Sequence, residues 1–164
     1  MAATKVGETT LTTPSDRELV VTRVFDAPRE LVWEAWTNPE HVPNWLLGPE
    51  GWTMPVCEID LRPGGAWQFV WRKNDGTEME MLGEYREVDP PARLVNTESW
   101  GGEWPETVNT VAFDEENGKT TVTITVLYPS QEAREAATAT GMETGMNRSF
   151  DLLDGYLTTI TSKE

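Results

Sequence analysis

The chain has 164 residues, 28 acidic against 13 basic side chains, a formal net charge of -15 and one cysteine. Such acidity repels nucleic acid and anionic membrane surfaces, and a single cysteine excludes an intramolecular disulfide. The length suits one domain able to bury its own core, and no apolar run reaches the ~18 residues a membrane span requires, so a soluble cytoplasmic protein is expected.

Residues 1–15 are rich in Thr and lack an apolar core segment, which predicts a disordered N-terminal arm ahead of a single domain over 16–164. From Arg17 to Phe25, Leu19, Val21, Arg23 and Phe25 alternate with Val20, Thr22 and Val24. The period is that of a strand. Asp26-Ala27-Pro28 ends it. Pro28 suits the first position of a helix whose apolar stripe is Leu31, Val32, Ala35 and Trp36, and Asn38-Pro39 breaks that helix. Pro39 can open a second short helix, limited by Pro43.

Between Trp52 and Tyr128 the pattern is of short alternating runs divided by turn residues, a meander of six antiparallel strands. They run from Trp52 to Leu61, through Trp67, Phe69 and Trp71, through Met79 and Met81 to Arg86, from Arg93 to Trp100, from Thr107 to Asp114 and from Lys119 to Leu127. Arg62-Pro63-Gly64-Gly65, Asn74-Asp75-Gly76, Asp89-Pro90-Pro91, Gly101-Gly102 and Asn117-Gly118 supply the turns. Gln131 to Thr140 reads as a short helix capped by Ser130.

The strongest helical pattern closes the chain. Met142, Met146, Phe150, Leu153, Leu157 and Ile160 are spaced by threes and fours, and their stripe extends about 28 Å at roughly 1.5 Å per residue. Strands segregated from helices indicate an α+β fold. The expected order is a strand, two helices, six strands and the long helix, with a seven-stranded antiparallel sheet wrapped around that helix.

Eight tryptophans suit either a bulky aromatic core or an aromatic-lined cavity. Trp67, Phe69, Trp71, Met79 and Met81 are expected to face Met142, Met146 and Phe150 on the long helix, as packed core or as the lining of a ligand cavity. Leu153, Leu157 and Ile160 are branched and space-filling, whereas Met142 and Met146 stand beside Gly141 and Gly145. A void is therefore expected at the helix's N-terminal half.

Asn96, Glu98 and Trp100 share one strand face. If it faces inward, Glu98 is a buried carboxylate for a ligand's polar end or for proton transfer; the alternative is an exposed glutamate at a loop end. Glu58, Asp60 and Arg62 read as a surface cluster and Cys57 as inert core. His41 is the only histidine, so neither a histidine triad nor a histidine zinc site is expected. No phosphate loop or dinucleotide fingerprint is present. Neither a cofactor, a metal nor a catalytic residue is expected.

The run from Phe25 to Glu40 (FDAPRELVWEAWTNPE), with Trp45 following, resembles proteins named for homology to the activator of the heat-shock protein 90 ATPase. Asp60 to Gly65, Gly83-Glu84-Tyr85 through Asp89-Pro90-Pro91 to Leu94-Val95, and Thr140-Gly141-Met142 with Gly145 agree with that family, so the likeness extends from about Glu18 to Ile160. The family belongs to the START-like or SRPBCC superfamily, whose members bind lipids, hormones and polyketides and sometimes catalyse reactions. The resemblance implies a seven-stranded sheet gripping the C-terminal helix, the helix-grip fold, with a cavity between them. It implies a non-enzymatic module for a small apolar or amphipathic ligand. The alternatives are a chaperone cofactor in the stress response, acting by protein contact, and an enzyme of the cyclase or hydrolase kind. The family's eukaryotic activators carry a further N-terminal chaperone-binding domain, and the present length accommodates only the C-terminal type.

Overall fold

A computed structural model describes residues 4–100 and 105–161. Among these residues nine strands form one antiparallel sheet: β1 (Thr4–Val6), β2 (Thr9–Ser15), β3 (Glu18–Phe25), β4 (Trp52–Ile59), β5 (Ala66–Lys73), β6 (Glu78–Asp89), β7 (Arg93–Glu98), β8 (Thr107–Glu116) and β9 (Lys119–Leu127). Their order across the sheet is β1-β2-β3-β9-β8-β7-β6-β5-β4. Helix α1 (Arg29–Thr37) and a 3-10 turn at Val42–Asn44 lie between β3 and β4, and α2 (Gln131–Thr138) and α3 (Met142–Thr161) follow β9.

The α+β class and the six consecutive strands agree with the sequence reading, and the architecture is consistent with a helix grip. Two expectations are corrected. The second short helix is a single 3-10 turn, since Pro43 lies within it. The presumed arm is ordered over Thr4–Val6 and Thr9–Ser15, which raises the expected seven strands to nine. The reason is tertiary: β2 pairs with β3 through Leu11 opposite Val21, and buried Thr9 donates from Oγ1 to Asn147 Oδ1 on α3 at 2.7 Å. Gly7, between the two strands, has φ +60, and a Cβ there would stand 2.6 Å from Asn147 Nδ2. The hairpin thus lies tight against α3 where only glycine fits.

Local rules account for the remaining boundaries. Asn117 (φ 56) and Gly118 (φ 78) take the left-handed conformations that a two-residue hairpin between β8 and β9 demands. At the start of α1 the extended residue is Pro28, and the Arg29 amide donates to Glu115 Oε1 at 2.8 Å. Ser130 caps α2 by accepting from the Ala133 amide at 3.1 Å. Gly141 (φ +78) separates α2 from α3.

One face of the sheet and the apolar stripe of α3 enclose the core. Leu19, Val21, Phe25, Val111, Phe113 and Val122 supply the sheet side, and Phe150, Leu153 and Leu157 the helix side, all buried. Aromatic edges fill the space beneath α1: Phe113 stands 5.3 Å from Trp33 and 5.8 Å from Trp36 between ring centroids, and Phe25 stands 5.9 Å from Phe150. Bulges interrupt the pairing of β4 with β5 and of β6 with β7, and a bulge bends and twists its strand.

Candidate functional site

A cavity of about 820 Å³ lies between β4 to β9, α2, the N-terminal half of α3 and the segment Leu46 to Pro49. Its lining is chiefly apolar, and the strand register explains which side chains reach it. Trp67, Phe69 and Trp71 project from one face of β5, while Phe69 pairs with Met81 and Trp71 with Met79 on β6. Gly83 lies opposite Trp67. A Cβ at Gly83 would come within 1.9 Å of the Thr97 carbonyl oxygen and 2.8 Å of Trp67 Nε1, so glycine makes room for the indole. Trp67 Nε1 is buried and has no hydrogen-bond partner among the described residues.

From α3 come Met142, Gly145, Met146, Ser149 and Phe150, whereas Leu153 and Leu157 do not border the cavity and are 0% and 2% exposed. The helix therefore meets a void at one end and solid core at the other. Gly145 packs on Pro49, whose Cδ would lie 3.1 Å from an added Cβ. Ser149 Oγ accepts from the Gly48 amide, and Arg148 Nη1 donates to the Gly48 carbonyl oxygen, each at 2.8 Å. Trp71 Nε1 donates to the Leu46 carbonyl oxygen at 2.7 Å. These contacts hold the Leu46 to Pro49 segment across the cavity's flank.

The polar part of the wall is gathered on β7 and β8. Glu98 projects into the cavity lining, half-buried rather than exposed at a loop end. Its Oε2 accepts from Trp100 Nε1 at 2.8 Å and its Oε1 from Asn109 Nδ2 at 2.7 Å. Thr107 Oγ1 donates to Asn109 Oδ1 at 3.1 Å, and Asn96 Nδ2 is tied to the Thr97 carbonyl oxygen at 3.0 Å. Burial raises the Glu98 carboxyl above its ordinary range, and the bonds from Trp100 and Asn109 act in the lowering direction. Tyr128, at the end of β9, is pushed up to about 12 by burial first and by the Glu98 charge second, with Arg134 opposing. Trp100, 38% exposed, stacks on Trp71 with centroids 5.5 Å apart and planes inclined by 13°.

All ten side chains singled out in the sequence, namely Trp67, Phe69 and Trp71, Met79 and Met81, Glu98 and Trp100, and Met142, Met146 and Phe150, border this one cavity. Sequence reasoning missed Thr107, Asn109 and Tyr128. Thr107 and Asn109 alternate in step with buried Val111 and Phe113, so polar residues at inward positions of β8 were the available signal. It also missed the Leu46 to Pro49 flank, which carries no periodic pattern. The seven tryptophans among the described residues are spread from core to cavity. Trp33 belongs to the packed core, Trp36 and Trp45 stand between core and cavity, and Trp52, Trp67, Trp71 and Trp100 border the cavity. Trp104 lies outside the described residues.

Other candidates have structural settings. Cys57 is half-buried and its thiol is raised to about 11 by burial, which keeps it protonated. Asp60 accepts from Arg62 Nε at 3.0 and 3.1 Å on the surface. His41 Nδ1 is 2.6 Å from Tyr156 Oη. Among the described residues no group of three or more His, Cys, Asp or Glu side chains is placed to hold a metal, and no helix is long and apolar enough to cross a membrane.

Comparison with known proteins places this geometry. No curated protein matches the chain. A protein from Rhodobacter sphaeroides of solved structure is 31% identical, with a TM-score of 0.86 over 93% of this chain and 99% of its own. A Nitrosomonas europaea protein shares the fold at 23% identity and a TM-score of 0.81, over 92% of this chain and 99% of its own. An AHSA1-like protein from Aeromonas hydrophila does so at 21% and 0.69, over 84% of this chain and 93% of its own. The family described as "Activator of Hsp90 ATPase homolog 1-like protein" matches residues 26–158, and the chain belongs to that family.

Proposed function

We propose that the protein is a non-enzymatic START-like domain, one domain over residues 16–164 extended by the N-terminal hairpin, that holds a small apolar or amphipathic molecule between its sheet and α3. The observation that carries this reading is the cavity of about 820 Å³, bordered by Trp67, Phe69, Trp71, Met81, Met146 and Phe150. Small-molecule sites are typically concave, mostly apolar and furnished with a few converging polar groups. Glu98, Asn109 and Thr107 are those groups here. Their hydrogen bonds to one another suit them to orienting a bound molecule, and no nucleophile paired with a base accompanies them among the described residues of the wall, which favours binding over catalysis. A cytoplasmic location goes with this reading.

Tryptophan fluorescence titrated with fatty alcohols, amines, acids and aromatic probes tests the reading, because Trp36, Trp45, Trp52, Trp67, Trp71 and Trp100 border the cavity. Saturable changes in the wild type that disappear in Met146→Trp are expected. An absence of any response would refute the reading.

A second reading is a chaperone cofactor acting through protein contact, favoured by the family's description as a homologue of an Hsp90 ATPase activator. An acidic surface of net charge -15 would use rim charges for such contact. Salt-sensitive stimulation of the host chaperone's ATPase, unaffected by Met146→Trp, would favour it.

A further inference from the structure

A cavity for a small apolar or amphipathic molecule leaves the chemistry of that molecule's polar end open, and the wall narrows it. No lysine, arginine or histidine stands among the described residues lining the cavity. Glu78 and Glu80 reach its rim, but Glu78 is paired with Arg72 at 2.6 Å and Glu80 with Gln68, on the exposed side of β5 and β6. Glu98 is then the acidic group that the inner wall presents without a cation. Each of its oxygens accepts one hydrogen bond, and a carboxylate has about four lone-pair sites, so acceptor capacity remains for a ligand.

A half-buried carboxylate with no cationic partner among the described residues attracts an incoming cation and repels an incoming anion more strongly than it would in solvent. The aromatic wall acts in the same sense. Trp67, Trp71 and Trp100 stand on the same side of the sheet as Glu98 in the cavity lining, and indole faces attract cations while tolerating apolar chains. Neutral donors from Asn109 and Trp100 are already used on Glu98. They do not replace a positive charge.

We infer that the cavity selects molecules with an apolar body and an amine end, the ammonium group meeting Glu98, over molecules of the same body that end in a carboxylate. The inference rests on the cavity being the ligand site, and it adds the class of ligand. It excludes free fatty acids as the preferred cargo.

The test uses octylamine, octanol and octanoate, three probes with one body, titrated calorimetrically into the full chain near neutral pH. Salt of about 0.3 M shortens the reach of exposed surface charge to several Å, which limits nonspecific attraction to the acidic surface. The amine is expected to bind at least about tenfold more tightly than the carboxylate, with the alcohol between them. Glu98→Gln should bring amine and carboxylate to within about threefold while leaving the alcohol nearly unchanged, and Met146→Trp should abolish binding of all three. Should Glu98→Gln fail to fold, Glu98→Met, similar in length and without charge, takes its place, and the same narrowing between amine and carboxylate is expected. Octanoate binding as tightly as octylamine overturns the inference while leaving the cavity reading in place. An amine preference that survives Glu98→Gln also overturns it, assigning the preference to overall charge. If none of the three probes binds, the inference and the cavity reading fall together.

Discussion

Arg23 Nη2 stands 2.8 Å from Asp151 Oδ1, joining a buried position of β3 to the polar flank of α3. The same nitrogen meets Asp154, and Nη1 donates to Asn147 Oδ1 at 3.0 Å and Thr9 Oγ1 at 3.3 Å. One guanidinium thus ties together the N-terminal hairpin, the central sheet and the long helix. Its side chain is 2% exposed, whereas those of Asp151 and Asp154 are 57% and 44% exposed. The cost of breaking the cluster is therefore asymmetric.

Asp151→Asn or Asp154→Asn alone is expected to cost within about 1 kcal/mol, because each acid is half in water and the other remains. The double variant leaves a buried guanidinium without a countercharge and should cost about 3 kcal/mol or more. Urea unfolding midpoints of the two single variants and the double variant check this. A double loss equal to the sum of the singles would show that Arg23 does not depend on the pair.

The two ends of α3 should answer differently to substitution. Leu157→Ala truncates a side chain in solid core and should cost about 2 to 5 kcal/mol. Met146→Trp fills void instead of displacing packed atoms, so its thermal midpoint should stay near that of the wild type while probe binding is lost. Thermal unfolding of both variants beside a fluorescence titration separates the outcomes. A Met146→Trp loss as large as that of Leu157→Ala would indicate that the space beside Met146 is not free.

Gly83→Ala adds one methyl group where the Thr97 carbonyl oxygen and Trp67 Nε1 leave no space. The β6–β7 pairing or the Trp67 indole must move, at about 1 to 3 kcal/mol. Because Trp67 borders the cavity, the shift should also alter its emission and weaken probe binding. Unchanged emission and stability would mean that β6 relaxes freely at this point.

The uneven legibility of the sequence has physical causes. Strands β3 to β9 carry alternating side chains because one face is buried, and α3 carries a threes-and-fours stripe for the same reason, so periodicity exposed both. Strand β2, Thr9 to Ser15, contains one buried aliphatic residue, Leu11, and its order comes from pairing with β3 and from Thr9 meeting Asn147. Val21 is close in sequence, but Asn147 lies 138 residues from Thr9, beyond any window of sequence. Arg23 alternated correctly with Leu19, Val21 and Phe25, but its countercharges lie more than a hundred residues away. In the cavity, bulky inward side chains were legible by alternation. The orientation of Glu98 was not, since it depends on Asn109 and Trp100 closing over its two oxygens. The distinction between void and packed core depends on how far α3 stands from β5 and β6, a distance that only the assembled fold determines.

The Glu98 carboxyl gives the last expectation, a dependence of stability on pH with a definite sign. Its ordinary value of 4.5 is raised in the folded protein, chiefly by burial. Below that value the group is protonated in both the folded and the unfolded chain and makes no difference between them. As pH rises through 4.5, the unfolded chain releases this proton while the folded chain retains it. The unfolded state is then favoured increasingly until the folded pKa is passed, after which the deficit is constant. Glu98→Gln removes this contribution. The difference in unfolding free energy, wild type minus variant, should therefore fall as pH is raised from 4.5 and then level off. Octylamine should oppose the fall in the wild type, because an ammonium at Glu98 stabilises the ionised folded form. Urea unfolding of both proteins across the acid-to-neutral range, with and without the amine, measures it. A difference that rises with pH would mean that the hydrogen bonds from Trp100 and Asn109 outweigh the desolvation of the carboxylate.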